Sequence, residues 1–124
     1  MGLDVSHDCW SGSYSAFSRF RIAIASVAGI DLGKMDGFGG DTRWGSLPSD
    51  ALHVLLNHSD CDGEIAAEHL LPLAQRLEQL IPALKTYDAV RPGSGHLMSV
   101  ASAAKQFANG LRLAAENQEI VTFG

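Results

Sequence analysis

Residues 98–123 read MSVASAAKQFANGLRLAAENQEIVTF, and a change of period inside this stretch decides the fold. As far as Glu116 the apolar residues recur every three or four positions. Val100, Ala104, Phe107, Leu111 and Ala115 therefore share one helix face, and Met98, Ala101, Lys105, Ala108 and Arg112 alternate with them. The spacing predicts a long helix from about Gly95 to Glu116. Beyond it, EIVTF breaks that period and brings β-branched residues, which reads as a short strand. A long amphipathic helix running into a terminal strand sets the class as mainly α with a small β element.

The partner for that strand lies at the other end of the chain. GLDVS (2–6) alternates Leu3 and Val5 with polar neighbours, as a strand does. A two-stranded β element formed by the N- and C-terminal strands is expected. Such a ribbon is marginal alone, so it must pack on the helices or pair with a second copy in a homo-oligomer. HDCWSGS (7–13) reads as a polar turn, with Gly12 and Ser13 introducing a helix from about Ser13 to Ala28. Phe17, Phe20, Ile24, Val27 and Ala28 form its apolar face, and Gly29 is a natural stop.

Two more helices are expected in the middle. PSDALHVLLNH (48–58) is a short one capped by Ser49, with Leu52, Leu55 and Leu56 inward. The other runs from about Ala66 to Leu80 through Leu70, Leu73 and Leu77, with Pro72 in its first turn or in a short 3₁₀ start. Residues 30–48 hold five glycines and little periodicity, and loops of that length are more often functional than accidental. The expectation is a compact helical domain of about four helices, with residues 1–124 forming a single domain.

Composition excludes several function classes. At 46% hydrophobic and 19% charged, the 124 residues need no disulfide framework or metal to build a core. A net charge of −5, with no run of adjacent cations, argues against duplex nucleic acid as a partner. The apolar run around Ile22–Ile30 is broken by Ser26 and Gly29, so no membrane span is expected. Cys9 and Cys61 each lie beside acidic residues, and the N-terminus lacks a signal-peptide pattern. A reducing cytoplasm is the expected location.

The densest chemistry is NHSDCDGEI (57–65). Aligned on Gly63 as the turn glycine of an EF-hand loop, Asp60 and Asp62 take the third and fifth positions and Ile65 the eighth. His58 and His69 then stand where the first and twelfth ligands belong, and an imidazole cannot supply the bidentate carboxylate that calcium needs. A transition metal suits the donors better: His58, Asp60, Cys61, Asp62 and His69 offer nitrogen, sulfur and oxygen. His7 and Cys9 add two more if the first turn folds over this loop, and His7, His58, Asp60 and Asp62 are the candidate ligands for a divalent metal. The plainer reading is a helix-to-helix turn in which Asp60 and Asp62 cap backbone N–H groups and Cys61 is a small buried hydrophobe.

Trp10, Tyr14, Phe38 and Trp44 lie in or beside loops, where rings can stack on a flat ligand or merely close the ends of the core. Arg19, Arg21, Arg43 and Arg91 are candidates for anion contacts. Neither a phosphate-binding glycine loop nor a serine-hydrolase elbow is present in the sequence.

Three stretches, GLDVSHDCWSGSYSAFSRFR (2–21), LLNHSDCDGEI (55–65) and FANGLRLAAENQEIVTF (107–123), together resemble a family of small bacterial and phage proteins without an established activity. The resemblance implies a standalone soluble protein associated with phages. Small phage proteins of this kind act on host systems, some by sequestering nucleotide-derived immune signals. It marks Asp4, His7, Trp10, Tyr14, His58, Asp60 and Asp62 as motif residues. The leading expectation is a non-enzymatic protein that holds a small polar ligand, with a nucleotide-derived signal as one candidate. Asp4, His7, Trp10, Tyr14, Arg21, Trp44, His58, Asp60 and Asp62 are its expected contacts. The alternatives are a metal-dependent hydrolase or lyase using His7, His58, Asp60 and Asp62, and a protein inhibitor of a host enzyme.

Overall fold

The computed structural model of the chain describes residues 2–35, 39–47, 50–58, 62–89 and 99–124. Strands β1 (Gly2–Val5) and β2 (Trp10–Ser13) form an antiparallel hairpin, with Gly2 opposite Ser13 and Val5 opposite Trp10. The Cys9 N–H donates to the Ser6 carbonyl at 3.2 Å. The residues between, His7 and Asp8, have φ of 60° and 61°, the signature of a type I′ turn. The expected polar turn is therefore confined to residues 6–9, and WSGS is a strand. Only Trp10 of those four residues is apolar, so the period of two was hidden.

Strand β4 (Val121–Thr122) lies between β1 and β3 (Glu64–Ile65). On one side Glu64 faces Thr122 and Ile65 faces Val121, and the Phe123 N–H donates to the Gly63 carbonyl at 2.9 Å. On the other side Val5 bridges Phe123, the Ser6 N–H donates to Thr122 O at 2.9 Å, and the Gly124 N–H donates to Asp4 O at 2.9 Å. Two antiparallel two-stranded sheets, β1-β2 and β3-β4, are thus joined through the Val5–Phe123 bridge. The expected meeting of the termini is made, and β2 and β3 extend it on either side.

Helix α1 (Tyr14–Val27) starts where Ser13 Oγ accepts from the Ala16 N–H at 3.1 Å. It ends in a Schellman motif in which Gly29, at φ 81°, lets the Ile30 N–H reach Ala25 O. Helix α2 (His53–Leu56) is a single turn, and Asp50 Oδ1 accepts from the Leu52 N–H at 3.0 Å just before it. Ser49, expected as the cap, lies outside the described residues.

Helices α3 (Ala67–Ala89) and α4 (Val100–Glu116) pair antiparallel. Asp88 accepts from the Ser99 hydroxyl and from the Val100 and Ala101 N–H groups at one end; further along, Glu78 takes a two-pronged hydrogen bond from Arg112. The expected start of α4 at Gly95 lies outside the described residues. α3 runs past the expected end at Leu80, and Pro72 and Pro82 both lie inside it rather than at its start. An interior proline costs about 3 kcal/mol. Leu70, Leu73, Leu77, Leu80 and Leu84 are all buried on one stripe, and each contributes about 1.5–3 kcal/mol. Burial outweighs the prolines.

An aromatic cluster joins the layers. Trp10 stacks on Phe20 at 5.1 Å and meets Phe17 edge-on at 5.2 Å, Phe20 packs on Phe107 of α4, and Phe17 on Phe123 beyond β4. Part of the glycine-rich segment is also anchored, because Leu32 and Met35 are buried and Met35 bridges Thr42. Among the described residues no helix is long and apolar enough to cross a membrane.

Candidate functional site

The close contact between the first hairpin and α4 depends on Gly110. A Cβ there would stand 2.5 Å from Cys9 Sγ and 2.7 Å from the His7 carbonyl oxygen, so any side chain would push the turn off the helix. With glycine in place, the Gln106 amide donates to the Asp8 carbonyl at 2.9 Å and fixes the turn along α4.

His7 is held from both sides of its ring. Its Nδ1 lies 2.8 Å from Ser6 Oγ, which also accepts from the Thr122 N–H at 2.9 Å. Its Nε2 donates to Glu119 Oε1 at 3.0 Å, since a carboxylate can only accept. That hydrogen bond, outweighing a small opposing effect of burial, holds the Glu119 carboxyl below the usual range, helped by the field of the imidazole and by Asn117.

Glu119 reaches His7 because α4 ends in a Schellman motif. The Glu119 N–H donates to Ala114 O, the Gln118 N–H to Ala115 O, and Gln118 adopts φ 56°. Among the described residues, His7, Asp8 and Gln118 are the three non-glycine residues with positive φ, and all three sit at this corner. Left-handed backbone costs a residue with a side chain roughly 1 kcal/mol or more, and such strain gathers where structure serves function.

Between the turn and α4 lies an open groove of about 470 Å³. His7 and Asp8 form one wall, and Ser102, Lys105, Gln106 and Asn109 of α4 form the other, with the apolar side of Leu113 at its margin. Among the described residues neither Lys105 nor Asp8 forms an ion pair. The groove thus offers an ammonium, a carboxylate, a hydroxyl and carboxamides. Beneath it, burial and then the Asp8 charge push the Cys9 thiol up to about 12. It stays protonated at neutral pH and is neither a nucleophile nor a ready metal ligand.

The sequence-derived candidates divide between surface and core. Asp4 is exposed on β1 and accepts from the Ser11 hydroxyl at 2.8 Å. Trp10 is 3% exposed with Phe17 and Phe20 against its ring, so it is a core residue rather than a stacking platform. Tyr14, at the start of α1, is half-buried against the core. Arg21 is 5% exposed and donates to the Leu56 and His58 carbonyls at 3.2 and 2.6 Å. It closes the C-terminal end of α2 instead of facing a solvent anion. Trp44 meets His53 edge-on at 5.3 Å, in the segment before α2.

β4 draws the two motif segments to its opposite edges, the Ser6–Trp10 turn on one side and residues 62–65 on the other. Their donor groups nevertheless face separate tasks. The His58 ring stacks on Phe123 at 4.1 Å and its Nε2 donates to the Glu64 carbonyl at 3.0 Å, while Asp62 is exposed ahead of Gly63. Asp60, Cys61, Phe38 and Arg91 lie outside the described residues. Among those described, no three His, Cys, Asp or Glu side chains converge as a metal set. A metal on His7 would have to displace Ser6 or Glu119.

Ser102, Lys105, Gln106, Asn109 and Glu119 were not anticipated as site residues. The four on α4 follow i, i+3, i+4, i+7 spacing, a polar stripe indistinguishable in sequence from an ordinary solvated helix face. Only the packing of the hairpin at Gly110 turns that stripe into a wall. No protein-family model, curated protein or solved structure matches the chain, so the reading of this corner rests on its own geometry.

Proposed function

We propose that the protein is a non-enzymatic binding protein that holds a small polar ligand in the groove between the His7–Asp8 turn and α4. One observation carries the reading: His7 and Asp8, two of the three left-handed non-glycine residues of the described chain, line a groove faced by polar side chains of α4. Asn–Gly would form the same type I′ turn with less strain. The chain carries His–Asp there, which gives the groove an imidazole wall and a carboxylate.

Both His7 nitrogens are engaged within the protein, Nδ1 with Ser6 and Nε2 with Glu119, which fixes the imidazole as one wall of the groove. Apart from His7 the described residues that line the groove carry no ring, and they offer charge and hydrogen bonds for recognition.

The reading is tested by thermal-shift screening of small polar metabolites against the native chain and a Ser102→Trp variant. Ser102 is exposed on α4, so the indole fills the groove without entering the core. Stabilisation by at least one compound, lost in the variant, is the expected result. Stabilisation that survives Ser102→Trp places binding elsewhere and refutes the assignment.

A further inference from the structure

We propose that the ligand of this groove is a small zwitterion, an amino-carboxylate that sets its carboxylate against Lys105 and its ammonium against Asp8. This inference rests on the binding reading above and adds the chemical class.

The walls carry opposite charges that do not neutralise each other. Lys105 on α4 and Asp8 on the turn both line the groove, yet they form no ion pair with each other or with any other described residue. The Asp8 backbone cannot drift toward Lys105, because the type I′ turn fixes its φ and Gln106 holds its carbonyl at 2.9 Å. His7 does not compete for a ligand charge, since Ser6 and Glu119 occupy its nitrogens.

A ligand of one sign would answer one wall and leave the other charge without a partner. A ligand with both signs answers both. Asn109 and Ser102 supply donors and acceptors between the poles, and Leu113 offers an apolar surface for a short carbon chain. Among the described lining residues Lys105 is the only lysine or arginine, and a single cation does not suit a polyphosphate.

The test uses a ruler of charge separation: glycine, 3-aminopropanoate, 4-aminobutanoate, 5-aminopentanoate and 6-aminohexanoate, each titrated into the native chain by NMR and followed at the Gln106 and Asn109 side-chain amides. The straight-chain acids and amines of matching length are titrated in parallel. Tightest binding at one chain length, about tenfold or more above the matched acid and amine, is expected. Lys105→Gln and Asp8→Asn, the latter keeping a residue that tolerates left-handed φ, should each weaken it by about tenfold to a hundredfold.

Acids or amines binding as tightly as the amino acids, or an Asp8→Asn variant binding as the native chain does, would overturn the zwitterion assignment. So would binding of other polar compounds but none of this series. In those cases the groove reading stands if Ser102→Trp still removes binding. Amino-acid binding that persists in Ser102→Trp overturns both.

Discussion

At the scale of single residues, stability and binding turn on a few positions where backbone geometry conflicts with side-chain identity. Gln118 is one: it occupies the left-handed position after α4, where glycine is preferred. Gln118→Gly should raise stability by about 0.5–1 kcal/mol in urea unfolding while leaving the Glu119–His7 contact in place. Gly110 is the opposite case, because the helix has no room for a methyl beside Cys9 and His7. Gly110→Ala should cost about 1–3 kcal/mol despite alanine's higher helix propensity, and should weaken ligand binding with it. A Gly110→Ala protein of native stability and affinity would show that the hairpin does not lie on α4 as described.

At the scale of elements, the joint between α3 and α4 is the clearest case of a tertiary cap. Burial alone would raise the Asp88 carboxyl, but the Ser99 hydroxyl and the Val100 and Ala101 N–H groups more than offset it and hold it below its ordinary value. A carboxyl lowered by folding stabilises the native state above its unfolded value, about pH 4, and that contribution is lost as pH falls through the lower native value. Asp88→Ala should lose about 1–2 kcal/mol at pH 7. The difference between native and Asp88→Asn proteins, followed by urea melts from pH 7 downward, should shrink from about pH 4 toward more acidic values. A difference independent of pH would remove the capping role.

The elements also show what could be read from sequence and what could not. α1, its Ser13 start and its Gly29 stop follow from local signals, as does the apolar face of α4. The β2 strand was hidden because Ser11, Gly12 and Ser13 give no apolar alternation, and β3 because two residues carry no period. Arg21 read as a candidate for anion contacts, yet the carbonyls at the end of α2 draw it inward, a partnership 34 residues or more away in sequence. The His7 half of the site lies in a stretch that the sequence singled out. The α4 half was not legible, because a polar stripe becomes a wall only when something packs beside it.

At the scale of the whole molecule, β4 is the organising element. It joins the hairpin to the 62–65 segment, and α4 delivers Glu119 to His7 immediately before it. The groove is therefore a product of topology: a turn near the start of the chain and a helix near its end are placed against each other. Coupling between the two should be measurable. In a double-mutant cycle, His7→Ala and Glu119→Gln should be measurably non-additive, whereas His7→Ala and Asp88→Ala should add. Additivity in the first pair would mean that the His7–Glu119 contact carries no weight in solution.

A ligand site between the His7–Asp8 turn and α4 is checked by mapping where a bound compound perturbs the protein. With ¹⁵N-labelled chain and any compound that stabilises it, the largest NMR shift changes should fall on His7, Asp8, Gln106 and Asn109, and should vanish in Ser102→Trp. Changes centred instead on residues 58–65 or around Trp44 would contradict the account.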